Sequence, residues 1–209
     1  MKTLAIISRK GGAGKTTIAL HLAVAAETHG KATVVFDLDP QASAAIWSDH
    51  RGELLPAVVP AQSPRLSSLL AQAKEQEADF AVLDTAPHAD AIASDAAAFA
   101  DLILIPCRPS AFDLDAIGAS VRLARAAEKP AFVVINAAPV QGVETDEAIK
   151  AIQCAGVEVC PIVLHQRKPY ASRMHEGRTA TEIEPKGKAA AETYALLLWV
   201  CDKLFMLPS

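Results

Sequence analysis

Four short apolar runs restrict the fold of this 209-residue chain more than any other feature: TLAIIS (3–8), ATVVFDLD (32–39), DFAVLDTAP (79–87) and AFVVIN (131–136). Their branched and leucine side chains are continuous rather than alternating, the pattern of strands covered by helices on both faces. Helical stretches separate them: Thr16 to about Thr28, closed by Gly30, then Ala42–Asp49, Arg65–Glu77, an alanine-rich segment before Asp101, and Asp113–Glu128. Three more strands are expected, PAVVP (56–60), DLILIPC (101–107) and VEVCPIVL (157–164), the last broken by Pro161, with a final helix over Ala189–Phe205. Strand and helix in alternation, joined by right-handed crossovers, predict an α/β fold. The sheet is doubly wound and mainly parallel, flanked by helices on both faces, and ligands belong at the carboxyl ends of its strands. No repeat, low-complexity tract or linker interrupts the pattern, so residues 1–209 read as a single domain, long enough for a substantial core.

The net charge of −4 provides no global basic field, so any contact with nucleic acid requires a local patch. The opening MKTLAIIS runs straight into a glycine loop, so no signal peptide is expected, and no apolar run reaches the roughly 18 residues of a membrane span. Cys107, Cys154, Cys160 and Cys201 form no C-x-x-C pair and have no histidine at zinc-like spacing, so they are expected as buried free thiols in a reducing cytoplasm.

Three strand ends carry chemistry. In KGGAGKTT (10–17) the glycines let backbone N–H groups turn inward at a helix N-terminus, forming an anion nest from Gly11, Gly12, Ala13 and Gly14. Lys15 would reach the β- and γ-phosphates of a nucleotide, and the Thr16 hydroxyl would ligate magnesium. Arg9 occupies the slot where the usual P-loop has its first glycine. In VVFDLDPQ, Asp37 and Asp39 stand two apart, so their carboxylates leave one face and call for a cation or polarised water between them. An Asp-Pro turn that merely ends the strand is the alternative there. Asp84, ending FAVLD, has the placement of a magnesium-holding carboxylate, although buried strand ends also carry structural aspartates.

Together KGGAGKTT, DLDPQ and VLDTAP resemble the deviant Walker A, A′ and B motifs of the ParA/MinD superfamily of P-loop ATPases. The resemblance extends through LILIPCRPSAFDLDA and HQRKPYASRMHEG, and is strongest toward the small ParA proteins of plasmid partition that lack an N-terminal helix-turn-helix. It implies a slow ATPase that uses ATP and Mg2+ and closes as an ATP-sandwich homodimer, with higher assemblies open. Lys10 would be the signature lysine, crossing to the partner's nucleotide; a cation buried at an interface is tolerable only against negative charge. Asp39 would orient the attacking water, Asp37 would support the metal's surroundings, and Thr17 would contact the α-phosphate. Asn136 would meet adenine, or else simply cap its strand. Arg108, in the proline-rich loop IPCRPSAFD (105–113), departs from the neutral residue expected there.

The same resemblance implies binding of DNA without sequence preference and stimulation by a centromere-binding ParB-type partner, in the cytoplasm and on the nucleoid. Arg167, Lys168 and Arg173 are the candidate DNA contacts, within a segment that also holds Arg178, Lys186 and Lys188. A solvated charged face is the competing reading of that segment. Two other functions fit the superfamily: a MinD-like positioning ATPase at a membrane, and an ATP-dependent amidoligase or synthetase. The tail ETYALLLWVCDKLFMLPS, with Lys203 its only basic residue, reads as a core-packing helix and not a membrane anchor.

Overall fold

The alternation of side chains along buried strands sends successive residues to opposite faces of a sheet, and both faces here are apolar. The computed structural model describes residues 1–52 and 54–206, with 111–116 and 206 described by backbone alone. Its strands are β1 (Lys2–Ile6), β2 (Thr33–Asp37), β3 (Ala57–Pro60), β4 (Phe80–Asp84), β5 (Leu102–Cys107) and β6 (Ala131–Ile135). They form one sheet in the order β3-β2-β4-β1-β5-β6, with every neighbouring pair parallel.

Leu4, Ile6, Val35, Val82, Leu104 and Val134 point to one face, where α1 (Lys15–Thr28), α2 (Ser43–Arg51) and α8 (Lys188–Met206) cover them. Ala5, Phe36, Leu83, Ile103, Ile105 and Ile135 point to the other, beneath α3 (Leu66–Glu75), α4 (Asp90–Phe99), α5 (Ala111–Ala126) and α6 (Glu144–Cys154). Each large side chain removed from water in this way contributes about 1.5–3 kcal/mol. Helix α1 is buried along its whole middle, Ile18 to Ala26, because it lies between the sheet and α8. Its alanines let the two helices approach closely. The short α7 (Ala180–Ile183) precedes α8, and its capping box joins Thr179 to Glu182.

Two departures from the expected element order have local causes. Residues 157–164 form no strand: they touch the sheet edge at an isolated bridge, Val133–Val159, and where the Leu164 N–H donates to the Ile135 carbonyl at 2.9 Å, with a further bridge at Ala138–His165. Beyond Cys160 the next N–H due to face β6, that of Ile162 just after Pro161, donates instead to Cys160 Sγ at 3.4 Å. Helix α6 arises where no helix was expected. Glu144, Asp146 and Glu147 sit in its first turn, complementing the helix dipole, and it buries only Ala148 and Ile152. Among the cysteines, Cys107 and Cys160 are buried, whereas Cys201 is half-buried and Cys154 exposed.

The central strand β1 has β4 on one side and β5 on the other; the crossover leaving β1 runs toward β2, and the one leaving β5 runs the opposite way, toward β6. A crevice opens at such a point, at the carboxyl end of the strand. The loop after β1 lies there.

Candidate functional site

The loop from Ser8 to Gly14 turns back on itself with Gly12 at φ +72° and Gly14 at φ +96°, conformations that side chains rarely adopt. A Cβ on Gly14 would meet Nδ2 of Asn136, which also donates a hydrogen bond to the Ala13 carbonyl at 2.7 Å. The end of β6 thereby fixes the shape of the loop. Gly14 is the N-cap of α1 and provides no side-chain cap, and the first turn carries no acidic residue. The helix therefore presents its N–H groups and its positive dipole end without an internal counter-charge.

Lys15 opens α1 and is buried; its Nζ donates to the Lys10 carbonyl at 3.4 Å. Burial lowers its pKa, opposed by the nearby charges of Asp84 and Asp39. Lys10 is half-buried at the start of the loop, with its N–H donating to Ser8 Oγ at 3.3 Å. Gly11 and Gly12 are exposed, and Thr16 and Thr17 half-buried.

Asp84 ends β4, with Asp37 beside it in register on β2 and Ile6 on β1. It is fully buried, and neither of its carboxylate oxygens has a hydrogen-bond partner of good geometry. Burial raises its pKa to about 7; the adjacent Thr16 hydroxyl and Lys15 offset part of that, while Asp37 and Asp39 add to it. An orphaned buried carboxylate next to a hydroxyl is a fitting place for a divalent cation.

Asp37 is differently occupied. Its Oδ1 accepts from the Asp39 N–H at 3.1 Å, and its Oδ2 accepts from the Ala44 and Ala45 N–H groups at 2.9 and 3.0 Å. It thus caps α2 from the end of β2, in place of the N-cap residue Ala42, which has no side-chain acceptor. Asp39 lies beyond the strand, half-buried in the following turn, where its Oδ1 accepts from the Gln41 N–H at 2.9 Å. The two carboxylates expected on one strand face therefore sit in different settings, one clasping a helix and one at the rim.

Residues outside the motifs tie this edge to the rest of the molecule. His21 Nδ1 bonds the Thr17 carbonyl at 2.8 Å, and its Nε2 accepts the Ala180 N–H at 3.1 Å. At the far end of α2, Arg51 donates to the Gly177 carbonyl at 2.7 Å and pairs with Glu182 at 2.9 Å. The backbones of Arg51 and Gly177 approach so closely that a Cβ on Gly177 would overlap Arg51. Neither contact has a signal in the sequence beyond residue type.

The candidate DNA contacts divide. Arg167 donates Nε and Nη2 to one oxygen of Glu192, at 2.9 and 2.7 Å, and His165 donates to the same carboxylate. That guanidinium is an internal strut against α8. Lys168, Arg173 and Arg178 are exposed, Arg173 paired with Glu176 at 3.0 Å, as are Lys186 and Lys188 further on.

An uncapped helix end asks for an anion, and the unpartnered Asp84 for a cation. Side by side at the switch point of a parallel sheet, they define a P-loop nucleotide-binding protein. Residues 4–180 match the CobQ/CobB/MinD/ParA nucleotide binding domain, and the chain belongs to that family. It is 30% identical over 201 residues to the maintenance of carboxysome distribution protein A of Halothiobacillus neapolitanus, covering 91% of each. Protein ParA of Rhizobium radiobacter is 30% identical over 202 residues, 91% of this chain and 90% of the relative. Among solved structures, the septum site-determining protein MinD of Pyrococcus horikoshii, complexed with Mg-ADP, shares the fold with a TM-score of 0.77 at 20% identity. The match covers 98% of this chain and 97% of that one. No helix among the described residues is long and apolar enough to cross a membrane.

Proposed function

We propose that this chain is an ATP-hydrolysing DNA partition switch of the ParA type, acting as one ATPase domain. It holds ATP and Mg2+, closes as a homodimer, binds DNA without sequence preference, and is reset when a centromere-binding ParB-type partner stimulates hydrolysis. The observation that carries the nucleotide reading is the buried, unpartnered Asp84 carboxylate beside Lys15 and Thr16 at the uncapped start of α1.

In this reading the N–H groups of Gly11, Gly12, Ala13 and Gly14 and the ammonium of Lys15 bind the phosphates, and Thr17 contacts the α-phosphate. Asp84 and Thr16 hold the metal ion, which when bound neutralises polyphosphate charge. Asp37 acts on that site through the position of α2, and Asp39, at the rim, orients the attacking water. Phosphoryl transfer has a loose transition state, so the work of these groups is positioning and charge stabilisation. Lys10 crosses to the nucleotide of the second chain, which makes closure depend on the triphosphate. Asn136 acts on the nucleotide site through the loop it holds, at the end of β6 where adenine would lie.

A second reading shares the switch and changes the cargo. Equal identity to a carboxysome distribution protein and to a ParA protein supports positioning of an assembly other than DNA equally well. Helix α8 buries Leu196, Leu197, Val200 and Leu204, which supports DNA over a membrane as the surface used. Sizing in a nonhydrolysable ATP analogue is expected to give twice the mass found in ADP, and Lys10→Ala to abolish the difference. Equal masses, with turnover indifferent to Lys10→Ala, would overturn the switch. Stimulation of turnover by a DNA-bound partner, against stimulation by a component of another cargo, separates the two readings.

A further inference from the structure

Arg108 follows β5, the strand hydrogen-bonded to β1, so its loop and the glycine loop reach the same edge of the sheet side by side. The turn that carries it is fixed by its own bonds. The Arg108 carbonyl accepts the Ser110 N–H at 2.8 Å and the Cys107 thiol at 3.1 Å, and the Asn136 N–H donates to the Cys107 carbonyl at 2.8 Å. Pro106 and Pro109 restrict the backbone on either side. From this turn the side chain extends over the glycine loop: a Cβ built on Gly12 would lie 4.0 Å from Arg108 Nη2.

Other arginines of the molecule meet carboxylates. Arg9 reaches Asp90 at 3.0 Å, Arg51 reaches Glu182 at 2.9 Å, and Arg167 reaches Glu192 at 2.7 Å. Arg108 is exposed, and among the described residues no carboxylate pairs with its guanidinium. What lies beneath it is the anion nest.

We propose that Arg108 is a specificity-determining residue that binds the phosphates of its own chain's nucleotide and favours triphosphate over diphosphate. The inference rests on the nucleotide reading above. A guanidinium is always charged, and its planar fork can give two parallel N–H donors to phosphate oxygens. A triphosphate carries more negative charge and one more set of oxygens than a diphosphate, so a cation over the nest strengthens its binding more. Arginine at this position thereby adds, within one chain, a second phosphate cation to Lys15.

Affinities for Mg-ATP and Mg-ADP, measured by titration calorimetry for the wild type, Arg108→Gln, Arg108→Lys and Lys15→Ala, test this. Arg108→Gln is expected to weaken ATP about tenfold and ADP less than threefold, with Arg108→Lys between it and the wild type. The same ratio should change in a Lys10→Ala background, where no lysine from a second chain contributes. Because Arg108 is exposed, the thermal midpoint of the free protein should not move. Affinities within twofold of wild type for both nucleotides, equal weakening of both, or loss of the effect in the Lys10→Ala background would each overturn the assignment. The nucleotide reading would survive those results if Lys15→Ala still abolished binding. A wild-type protein that binds neither nucleotide would overturn both.

Discussion

At Asp84 the needs of the free protein and those of a nucleotide site oppose each other. A carboxylate buried without partners destabilises the fold it sits in, and burial already lifts its pKa to about 7. Asp84→Asn is therefore expected to raise the thermal midpoint of the nucleotide-free protein at pH 8, by about 2–4 °C for each kcal/mol relieved. The same substitution should abolish magnesium-dependent ATP binding; a variant that binds Mg-ATP like wild type would remove Asp84 from the metal site. His21 gives the pH prediction. Burial holds its folded pKa at about 4, below the ordinary 6.5, so the unfolded chain takes up a proton that the folded chain refuses. Stability is fully present above pH 6.5 and falls as the pH drops toward 4, by about 3 kcal/mol across that window. Denaturant titrations at pH 7.5 and 4.5 check it, with His21→Gln expected to flatten the difference. The positions of Lys15, opening the helix after β1, and of Asp84, ending β4, were legible from the motifs, while the adjacency of the two strands comes from the fold. Asn136 bonding Ala13, and Arg167 held by Glu192, were not: each pairing joins positions far apart in the chain, and only the finished fold chooses the partner.

At the scale of elements, all six strands of the sheet were legible, the edge strand β3 among them, and so were α3 and α8, whereas α6 was not. Helix α6 escaped notice because it buries only Ala148 and Ile152, too few to set a helical period, although its acidic first turn and Gly156 just past its end were usable signals. Residues 157–164 misled in the opposite direction: an apolar run at a sheet edge looks like a strand even with Pro161 in it, and the turn of the Ile162 N–H to Cys160 Sγ that ends the ladder is a product of the finished fold. The junction of α2 with α7 was invisible, because Arg51 and Glu182 lie on opposite sides of most of the sequence. Arg51 is 5% exposed at its side chain and joins Glu182, Gly177 and the face of Trp47. Arg51→Ala leaves Glu182 without its partner and is expected to cost about 3 kcal/mol in chemical denaturation. A loss below 0.5 kcal/mol would show the pair to be dispensable.

For the whole molecule, DNA retention is expected to need ATP and to weaken steeply with salt, since phosphate contacts release counterions. The exposed cations Lys168 and Arg178 are the ones to change: Lys168→Ala with Arg178→Ala should lower affinity at least about tenfold at 0.1 M salt and reduce the salt slope by about two for each chain of the dimer. An unchanged slope would place the DNA surface elsewhere. Retention on vesicles with ATP, and none on DNA, would move the protein to a membrane. Whichever surface it uses, α7 is a rivet shared by two levers. One begins at the phosphate loop and reaches Ala180 through His21; the other begins at the aspartate turn and reaches Glu182 through Arg51. Arg173 and Arg178 stand on the stretch that leads into this rivet, so in the proposed switch a shift of either lever would reach them without any hinge between domains.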